Sequence, residues 1–323
     1  MKLPKTYGYL KKDLEVIEEA LNQTIQAEHP VLRQASIDLL NAGGKRIRPV
    51  FVILAGQLGD YDAESISKAA VALELIHMAT LVHDDVIDEA TLRRGKPTIK
   101  HLYGNRIAMY TGDYILARAL EEVTTINNPK AHRVLSKALV EVAIGEIDQI
   151  QDKFNWEQNL RDYLRRIKRK TALLIATSCQ LGALLSGLSD KEVKLLYRYG
   201  YYIGMSYQII DDILDFTETA KQLGKPAGND LLQGNITLPV LYAIRDREFN
   251  EMVQEVFKKP DLIQSDDRKL VINTLKQTDA IRKSYELSDM YLKKALDTLN
   301  ELPNSKSKIT LQTIAKYIGR RRV

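Results

Sequence analysis

Two aspartate-rich pentapeptides are the chain's first chemical signal: DDVID at 84–88 and DDILD at 211–215. Residues four apart lie on one helix face, and like charges stacked there are costly unless a cation neutralises them. Oxygen-only ligands select a hard cation, and sparse carboxylates favour Mg²⁺, which keeps water ligands and accepts phosphate oxygens. We therefore predict that magnesium binds five aspartates: Asp84, Asp88, Asp211, Asp212 and Asp215.

The repetition of the motif is more informative than either copy. A single DDxxD is equally well explained as a solvated helix end. Here each copy follows an apolar run, MATLVH before the first and MSYQII before the second. Two such helices facing each other would hold a diphosphate through bridging metal ions.

Basic residues occur where a diphosphate would need counter-charges. AGGKRIRPVF at 42–51 places two glycines before its basic residues, and glycine permits close backbone approach. The guanidinium fork matches phosphate oxygens, which favours Arg48 there and the pair that follows the first aspartate cluster. The candidate phosphate ligands of this part of the chain are Lys45, Arg48, Arg93 and Arg94.

Three further basic segments are less specific. RRIKRKTALL at 165–174 reads most simply as a solvated helix end, although Lys170 and Thr171 at its apolar border are expected to face inward. Lys225 lies between glycines ten residues beyond Asp215. The tail at 320–322 is three arginines, for which a solvated end is favoured over folding across an anionic site.

His77 lies seven residues before Asp84, two helical turns back on roughly the same face. A lone histidine on an apolar face is usually a satisfied core residue. Its position relative to the aspartates favours a substrate contact instead. Glu74 and His77 form one Glu-x-x-His, but a di-iron bundle needs two, and no other histidine has a glutamate three residues earlier.

The elements that must position these side chains are helices. Apolar residues recur three and four apart, as in the run from Ile66 to Ile76, and strand and hairpin patterns are scarce. No proline occurs between Lys130 and Lys225, and no composition shift marks a linker. We predict an all-α fold, a single large helical bundle with a central cavity formed by one domain, residues 1–323.

Bulk properties narrow the class of protein. The formal charge of +5 suits an anionic substrate or membrane surface and decides neither; we expect no nucleic-acid partner. The single cysteine, Cys179, excludes an intrachain disulfide and reads as buried filler. The uncharged segment 171–189 is rich in small and polar residues, which favours a central helix over a membrane span. The N-terminus shows no signal-peptide pattern, so we expect a cytoplasmic protein.

The ordered set GGKRIRP, DDVIDEATLRRG, Lys170-Thr171, YQIIDDILD and GKPAGNDL resembles the trans-isoprenyl diphosphate synthases over residues 45–230. Within that family the overall likeness is to the catalytic subunit (component II) of bacterial heptaprenyl diphosphate synthases. The resemblance implies the isoprenoid synthase fold, Mg²⁺, and condensation of isopentenyl diphosphate with an allylic diphosphate such as farnesyl diphosphate. It also implies a role in making the menaquinone side chain, and either a small second subunit (component I) or a homodimer, with transient membrane contact for product release.

The resemblance also assigns roles by residue. Isopentenyl diphosphate would contact Lys45, Arg48, His77 and Arg94, and the allylic diphosphate Arg93, Lys170, Thr171, Gln208 and Lys225. The released diphosphate itself is the family's usual base. The residues implied in catalysis are Asp84, Asp85, Asp88, Arg93, Lys170, Asp211, Asp212 and Lys225.

Product length is predicted from the residues just before the first cluster. Ala79 and Thr80 lie about one turn before Asp84, and their small side chains would leave a tunnel open for a growing chain. We therefore expect a product between hexaprenyl and octaprenyl, with heptaprenyl favoured. The candidates for the tunnel floor are Met109, Ile144 and Ile147.

Three rival functions are weaker. A class I terpene cyclase would have Ser/Thr and Glu where NDLLQGNIT has Gln233 and Thr237. A non-catalytic subunit would have lost the aspartates, and both clusters are intact. A helical scaffold would not need two acid clusters within apolar runs. A homodimeric hexaprenyl or octaprenyl synthase would share every motif and remains open at this point.

Overall fold

The computed structural model describes residues 5–218, 227–259 and 263–321. The all-α prediction is confirmed: nearly every described element is a helix. The chain opens with a 3₁₀ helix, Lys5–Leu10. The α-helices of the first half are α1 Lys11–Thr24, α2 Pro30–Asn41, α3 Ile47–Gly56, α4 Ala63–Ile87, α5 Ile99–Thr124 and α6 Pro129–Gln151.

The second half contains the remaining described helices and one irregular turn. They are α7 Leu160–Ile167, a π-helical turn Lys168–Ala172, α8 Leu173–Leu185, α9 Asp190–Thr217, α10 Asn229–Leu232, α11 Leu238–Ala243, α12 Arg247–Val256, α13 Ser265–Gln277, α14 Ala280–Asn300 and α15 Lys306–Gly319.

Capping residues explain where several helices begin. The Asp62 carboxylate accepts from the backbone N–H groups of Glu64 and Ser65 at the start of α4. Asn159 and Asp162 form a reciprocal capping box at the start of α7. These side chains satisfy backbone donors that a helix N-terminus leaves unpaired.

A two-residue hairpin interrupts the helices directly after α4. Strands β1 Leu92–Arg93 and β2 Lys96–Pro97 pair antiparallel. Arg94 and Gly95 form the turn, with φ of 53° and 76°. Positive φ at both central residues matches the right-handed strand twist and makes a tight two-residue connection. The sequence pattern had not indicated this hairpin, which carries both arginines of the first motif.

The described chain divides into two compact units. Unit 1 comprises residues 1–137, 174–200 and 301–313; unit 2 comprises residues 138–173, 201–300 and 314–323. Boundaries at 137, 200 and 313 fall inside α6, α9 and α15. A boundary inside a continuous helix is not marked by a stretch of linker-like residues. The division into two units could therefore not be predicted from the sequence, for which we predicted one domain.

Helix α4 is the apolar centre of unit 1. Among the described residues it is the one helix long and apolar enough to cross a membrane by length and composition, and 67% of its most apolar window is buried inside the fold. Core helices commonly meet that test. The uncharged segment 171–189 instead supplies the π-helical turn and the thirteen-residue α8.

Unit 2 has its own core. It includes Tyr163 of α7, Ile209 and Phe216 of α9, and Phe249 of α12, all fully buried. The second aspartate cluster therefore belongs to a helix packed on its apolar side.

Candidate active site

The first aspartate cluster closes α4 in unit 1. The Asp88 N–H donates to the Asp84 carbonyl at 2.8 Å, and both side chains are partly exposed. Asp85 points the other way and is 3% exposed. Its Oδ1 accepts from Arg93 Nε at 2.8 Å and Arg93 Nη2 at 2.7 Å. The motif therefore separates its carboxylates into two accessible ones and one that anchors the hairpin.

Burial and Arg93 act in opposite directions on Asp85. Desolvation, the larger effect, raises the pKa of the Asp85 carboxyl, and the Arg93 guanidinium lowers it. Arg93, a predicted allylic-diphosphate contact, uses its Nε and Nη2 groups to bind Asp85. A phosphate bound by Arg93 would accept hydrogen bonds from its remaining guanidinium N–H groups.

The segment 43–48 distinguishes one arginine from another. Arg46 adopts φ of 45°, and its guanidinium bonds Glu18 twice at 2.8 Å and Glu74 at 3.2 Å. That fixes Arg46 as a structural clamp between α1 and α4. Arg48 belongs to α3 and is 8% exposed.

Gly44 makes room for two guanidinium groups. A β-carbon there would lie 2.8 Å from Nη1 of both Arg46 and Arg94. No larger residue fits without displacing them. The structure therefore brings the predicted isopentenyl-diphosphate residue Arg94 to the glycine pair that precedes Lys45.

His77 lies in the field of these arginines. Its pKa is lowered well below the usual value, first by burial and then by the positive charges of Arg48, Arg94, Arg93 and Arg46. The imidazole is consequently neutral at physiological pH. Three predicted isopentenyl-diphosphate residues, Arg48, His77 and Arg94, thus share one cationic environment, which suits an anionic ligand.

The residues predicted to set product length have mixed environments. Ala79 is 1% exposed, and the Thr80 hydroxyl donates to the His77 carbonyl at 2.8 Å. The suggested floor residues are all at the surface: Met109 is 39%, Ile144 39% and Ile147 56% exposed. Side chains this exposed in the single chain are not enclosed as a tunnel floor would be, which argues against all three.

The second cluster also separates its carboxylates. Asp211 is 34% exposed and accepts from Arg321 Nη1 at 2.8 Å. The Arg321 guanidinium lies 5.2 Å from the centre of the Tyr207 ring. The preference for a solvated tail was therefore wrong for Arg321, although Arg320 is exposed and Arg322 lies outside the described residues.

Asp212 is 2% exposed and already has a hydrogen bond to each oxygen. Oδ2 accepts from the Tyr163 hydroxyl at 2.7 Å, and Oδ1 accepts from the Gln208 amide at 2.8 Å. Burial and the nearby charge of Asp230 raise its pKa to about 7, against the hydrogen bonds. The structure argues against Asp212 as a direct metal ligand, because its oxygens face the core of unit 2.

Asp215 is similarly enclosed. It is 1% exposed, and its Oδ2 accepts from the Asp230 N–H at 3.2 Å. Its carbonyl accepts from the Gly228 N–H at 2.8 Å. Asp215 therefore ties α9 to the segment that carries Asp230, a carboxylate that the sequence analysis had missed.

Lys170 and Thr171 lie in the π-helical turn Lys168–Ala172, a feature that often marks functional positions in helices. Lys170 Nζ donates to the neutral Gln149 side chain at 2.7 Å, a bond that does not cancel its charge. The Thr171 hydroxyl donates to Gln208 Oε1 at 2.6 Å. A threonine hydroxyl has one proton, so a phosphate contact would require this bond to exchange.

Two other basic residues of 165–170, Arg166 and Arg169, are not simply solvated. Arg166 is 5% exposed and donates to Gln158 at 2.8 Å and to the Ile236 carbonyl at 2.6 Å. Arg169 pairs with Glu141 at 3.0 Å and with Asp148. These contacts hold the turn and leave Lys170 as its candidate phosphate ligand; Lys225 lies outside the described residues.

The described carboxylates suit a cation that brings its own ligands. Within the described ranges no group of three or more Asp, Glu, His or Cys side chains forms a metal cage. Mg²⁺ is commonly held by one or two carboxylates plus waters and substrate phosphates. Asp84 and Asp88 fit that description, and Asp211 fits it once Arg321 moves aside.

The chain matches the polyprenyl synthetase family model over residues 29–274. It belongs to that family. It is 58% identical over 322 residues to heptaprenyl diphosphate synthase component 2 of Bacillus subtilis, covering 100% of this chain and 92% of the relative. The corresponding Geobacillus stearothermophilus protein is 57% identical over 321 residues, covering 99% of each.

Solved structures give the same assignment. Heptaprenyl diphosphate synthase from Staphylococcus aureus has a TM-score of 0.91 at 43% identity, covering 96% of this chain and 98% of that one. A Caulobacter crescentus polyprenyl synthase, complexed with calcium and isoprenyl diphosphate, has a TM-score of 0.93 at 29% identity, covering 98% and 97%. The polyprenyl synthetase described here is a prenyltransferase with the all-α isoprenyl synthase fold, and its family uses a divalent metal.

Proposed function

We propose that this polyprenyl synthetase is the catalytic subunit of a heptaprenyl diphosphate synthase and works with Mg²⁺. It adds isopentenyl diphosphate units to an allylic diphosphate such as farnesyl diphosphate. The observation that carries the proposal is that α4 holds His77 in the field of several arginines and ends at the partly exposed carboxylates of Asp84 and Asp88. Identity of 57–58% to two component 2 proteins supports the heptaprenyl product.

The two substrates would use different residues. Arg48 and Arg94, with Lys45, offer positive charge to isopentenyl diphosphate, and neutral His77 is able to donate a hydrogen bond without adding charge. Asp84 and Asp88 would hold a metal ion in unit 1, and Asp211 is the accessible carboxylate of the second cluster in unit 2. When bound, Mg²⁺ supplies charge stabilisation to the leaving diphosphate.

The remaining residues act on charge that develops as the allylic C–O bond breaks. Lys170 holds its ammonium on a turn fixed by Arg169 and Gln149. Preorganised charge is worth more than mobile charge, because it needs no reorganisation during the reaction. The double bond of isopentenyl diphosphate then attacks the allylic cation, and the released diphosphate takes the proton.

Product length and assembly belong to the same proposal. Small side chains at Ala79 and Thr80 favour a long product. The name of the component 2 relatives points to a second subunit. A role in making the menaquinone side chain is what the family resemblance implies. A homodimer making hexaprenyl or octaprenyl diphosphate is the alternative that the site residues also allow.

Product analysis tests the proposal. The purified chain is incubated with farnesyl diphosphate, labelled isopentenyl diphosphate and Mg²⁺, alone and with source-organism lysate depleted of this chain. Heptaprenyl product only with lysate supports a heteromer, and long product from the chain alone supports a homodimer. No product under either condition would contradict the proposed function.

A further inference from the structure

A chain of three hydrogen bonds runs through the core of unit 2. Tyr163 of α7 donates to Asp212 at 2.7 Å, Gln208 donates to Asp212 at 2.8 Å, and Thr171 donates to Gln208 at 2.6 Å. Tyr163 is fully buried and belongs to the apolar core of the unit. None of the sequence motifs includes it.

The donors and acceptors fix the direction of the whole chain. Each Asp212 carboxyl oxygen accepts one hydrogen bond, Oδ2 from the Tyr163 hydroxyl and Oδ1 from the Gln208 amide nitrogen. The Gln208 amide oxygen is then turned towards Thr171. A flipped amide would place its oxygen against a carboxylate oxygen, which is unfavourable. The Thr171 hydroxyl consequently has one preferred rotamer.

The hydrogen-bond chain ends at Thr171, which belongs to the π-helical turn. A π turn is rare and makes poorer use of backbone hydrogen bonds than an α-helix, so neighbouring contacts must hold it. Two glycines let flanking helices approach closely. A β-carbon at Gly204 of α9 would lie 2.4 Å from the Ala172 Cα, and one at Gly145 of α6 would lie 2.6 Å from the Arg169 Cβ.

We propose that Tyr163 is a positioning residue for the allylic-diphosphate side of the site. Acting through Asp212 and Gln208, it fixes Thr171 and the turn that carries Lys170. Tyr163 itself touches no substrate. The inference rests on the proposed function and adds a residue that neither the motifs nor the family match assigns.

The matched variants are Tyr163→Phe and Tyr199→Phe. Both remove one hydroxyl from a fully buried tyrosine, and the Tyr199 hydroxyl donates to the Leu311 carbonyl at 2.8 Å in unit 1. We expect Tyr163→Phe to raise the KM for farnesyl diphosphate about tenfold, with the KM for isopentenyl diphosphate within about twofold of wild type. Tyr199→Phe should lower the Tm and leave both KM values unchanged.

A double-mutant cycle separates positioning from general destabilisation. Thr171→Ala removes the hydroxyl that Tyr163 orients through Asp212 and Gln208. In that background, adding Tyr163→Phe should change the farnesyl diphosphate KM by less than about twofold. Independent, multiplicative effects of the two substitutions would overturn the inference. So would equal behaviour of Tyr163→Phe and Tyr199→Phe.

A binding measurement keeps the inference separate from the proposed function. Calorimetry with an unreactive farnesyl thiodiphosphate should show about tenfold weaker binding to Tyr163→Phe than to wild type. If the wild type binds this analogue but makes no product, the proposed function fails while the comparison still decides the inference. Equal affinity of the two proteins would overturn it.

Discussion

Replacing Arg321 by alanine should lower the magnesium concentration that the enzyme needs for half-maximal activity. The Arg321 guanidinium occupies an Asp211 oxygen at 2.8 Å, and Asp211 is the most accessible carboxylate of the second cluster. A metal ion that binds Asp211 must displace this cation. Removal of the competitor therefore raises the apparent affinity for the metal.

The magnitude follows from the exposure of the pair. The side chains are 20% and 34% exposed, so solvent screens the interaction and its contribution is about 1 kcal/mol. Removing it should lower the half-saturating Mg²⁺ concentration about fivefold. Arg321→Lys keeps the charge but loses the planar fork, so an intermediate value is expected.

The assay is the initial rate against free Mg²⁺ at fixed substrate concentrations, with Arg320→Ala as the control. Arg320 is the exposed neighbour of Arg321, and its substitution should leave the magnesium curve unchanged. An unchanged or higher magnesium requirement in Arg321→Ala would refute the competition. In that case Arg321 interacts with the bound substrates and does not compete with the metal for Asp211.

Two further predictions follow from unit 1. Arg46→Ala should lower the free energy of unfolding by about 3 kcal/mol, because Glu74, whose side chain is 3% exposed, would remain buried and charged without this arginine. Urea unfolding measures the loss. Arg282, which also pairs with two carboxylates but is largely exposed, is the control and should show no measurable change; equal losses would contradict the clamp. Ala79→Phe should shorten the product, as read by chromatography of dephosphorylated prenols, whereas Ala63→Phe at the exposed start of α4 should not. A full-length product from Ala79→Phe would place the tunnel elsewhere.

The helical class and the shared face of Asp84 and Asp88 could be predicted from the sequence because both follow from local patterns. Apolar spacing indicates helices without reference to partners. Asp84 and Asp88 are one turn apart, so their common face is a property of the helix itself. The hairpin was missed because its two strands are too short to show alternation.

Tertiary partners decided what the sequence could not. KRIR offers Arg46 and Arg48 as chemical equals, and only Glu18 and Glu74, each 28 residues away, make Arg46 a clamp. DDILD offers three equal aspartates, and packing buries Asp212 and Asp215 while leaving Asp211 accessible. Tyr163 resembles any core tyrosine until its hydroxyl is seen against Asp212.

The π-helical turn was beyond the reach of pattern analysis for a similar reason. A single extra residue in one turn shifts the helical phase by less than the scatter of an apolar pattern. The close approaches at Gly145 and Gly204 hold it, and glycine alone indicates neither which helix approaches nor where.

The role of the first aspartate cluster is tested by comparing wild type, Asp84→Asn and Asp190→Asn, each with the depleted source-organism lysate, in incorporating labelled isopentenyl diphosphate into farnesyl diphosphate. Asp190 is an 83%-exposed aspartate of unit 1, paired with Lys130 at 3.7 Å, and serves as the control. We predict wild-type incorporation that chelation abolishes, an unchanged Asp190→Asn, and a rate at least about 100-fold lower in Asp84→Asn. Full activity in Asp84→Asn, or activity that survives chelation, would show that the aspartate cluster does not act through a metal-bound diphosphate.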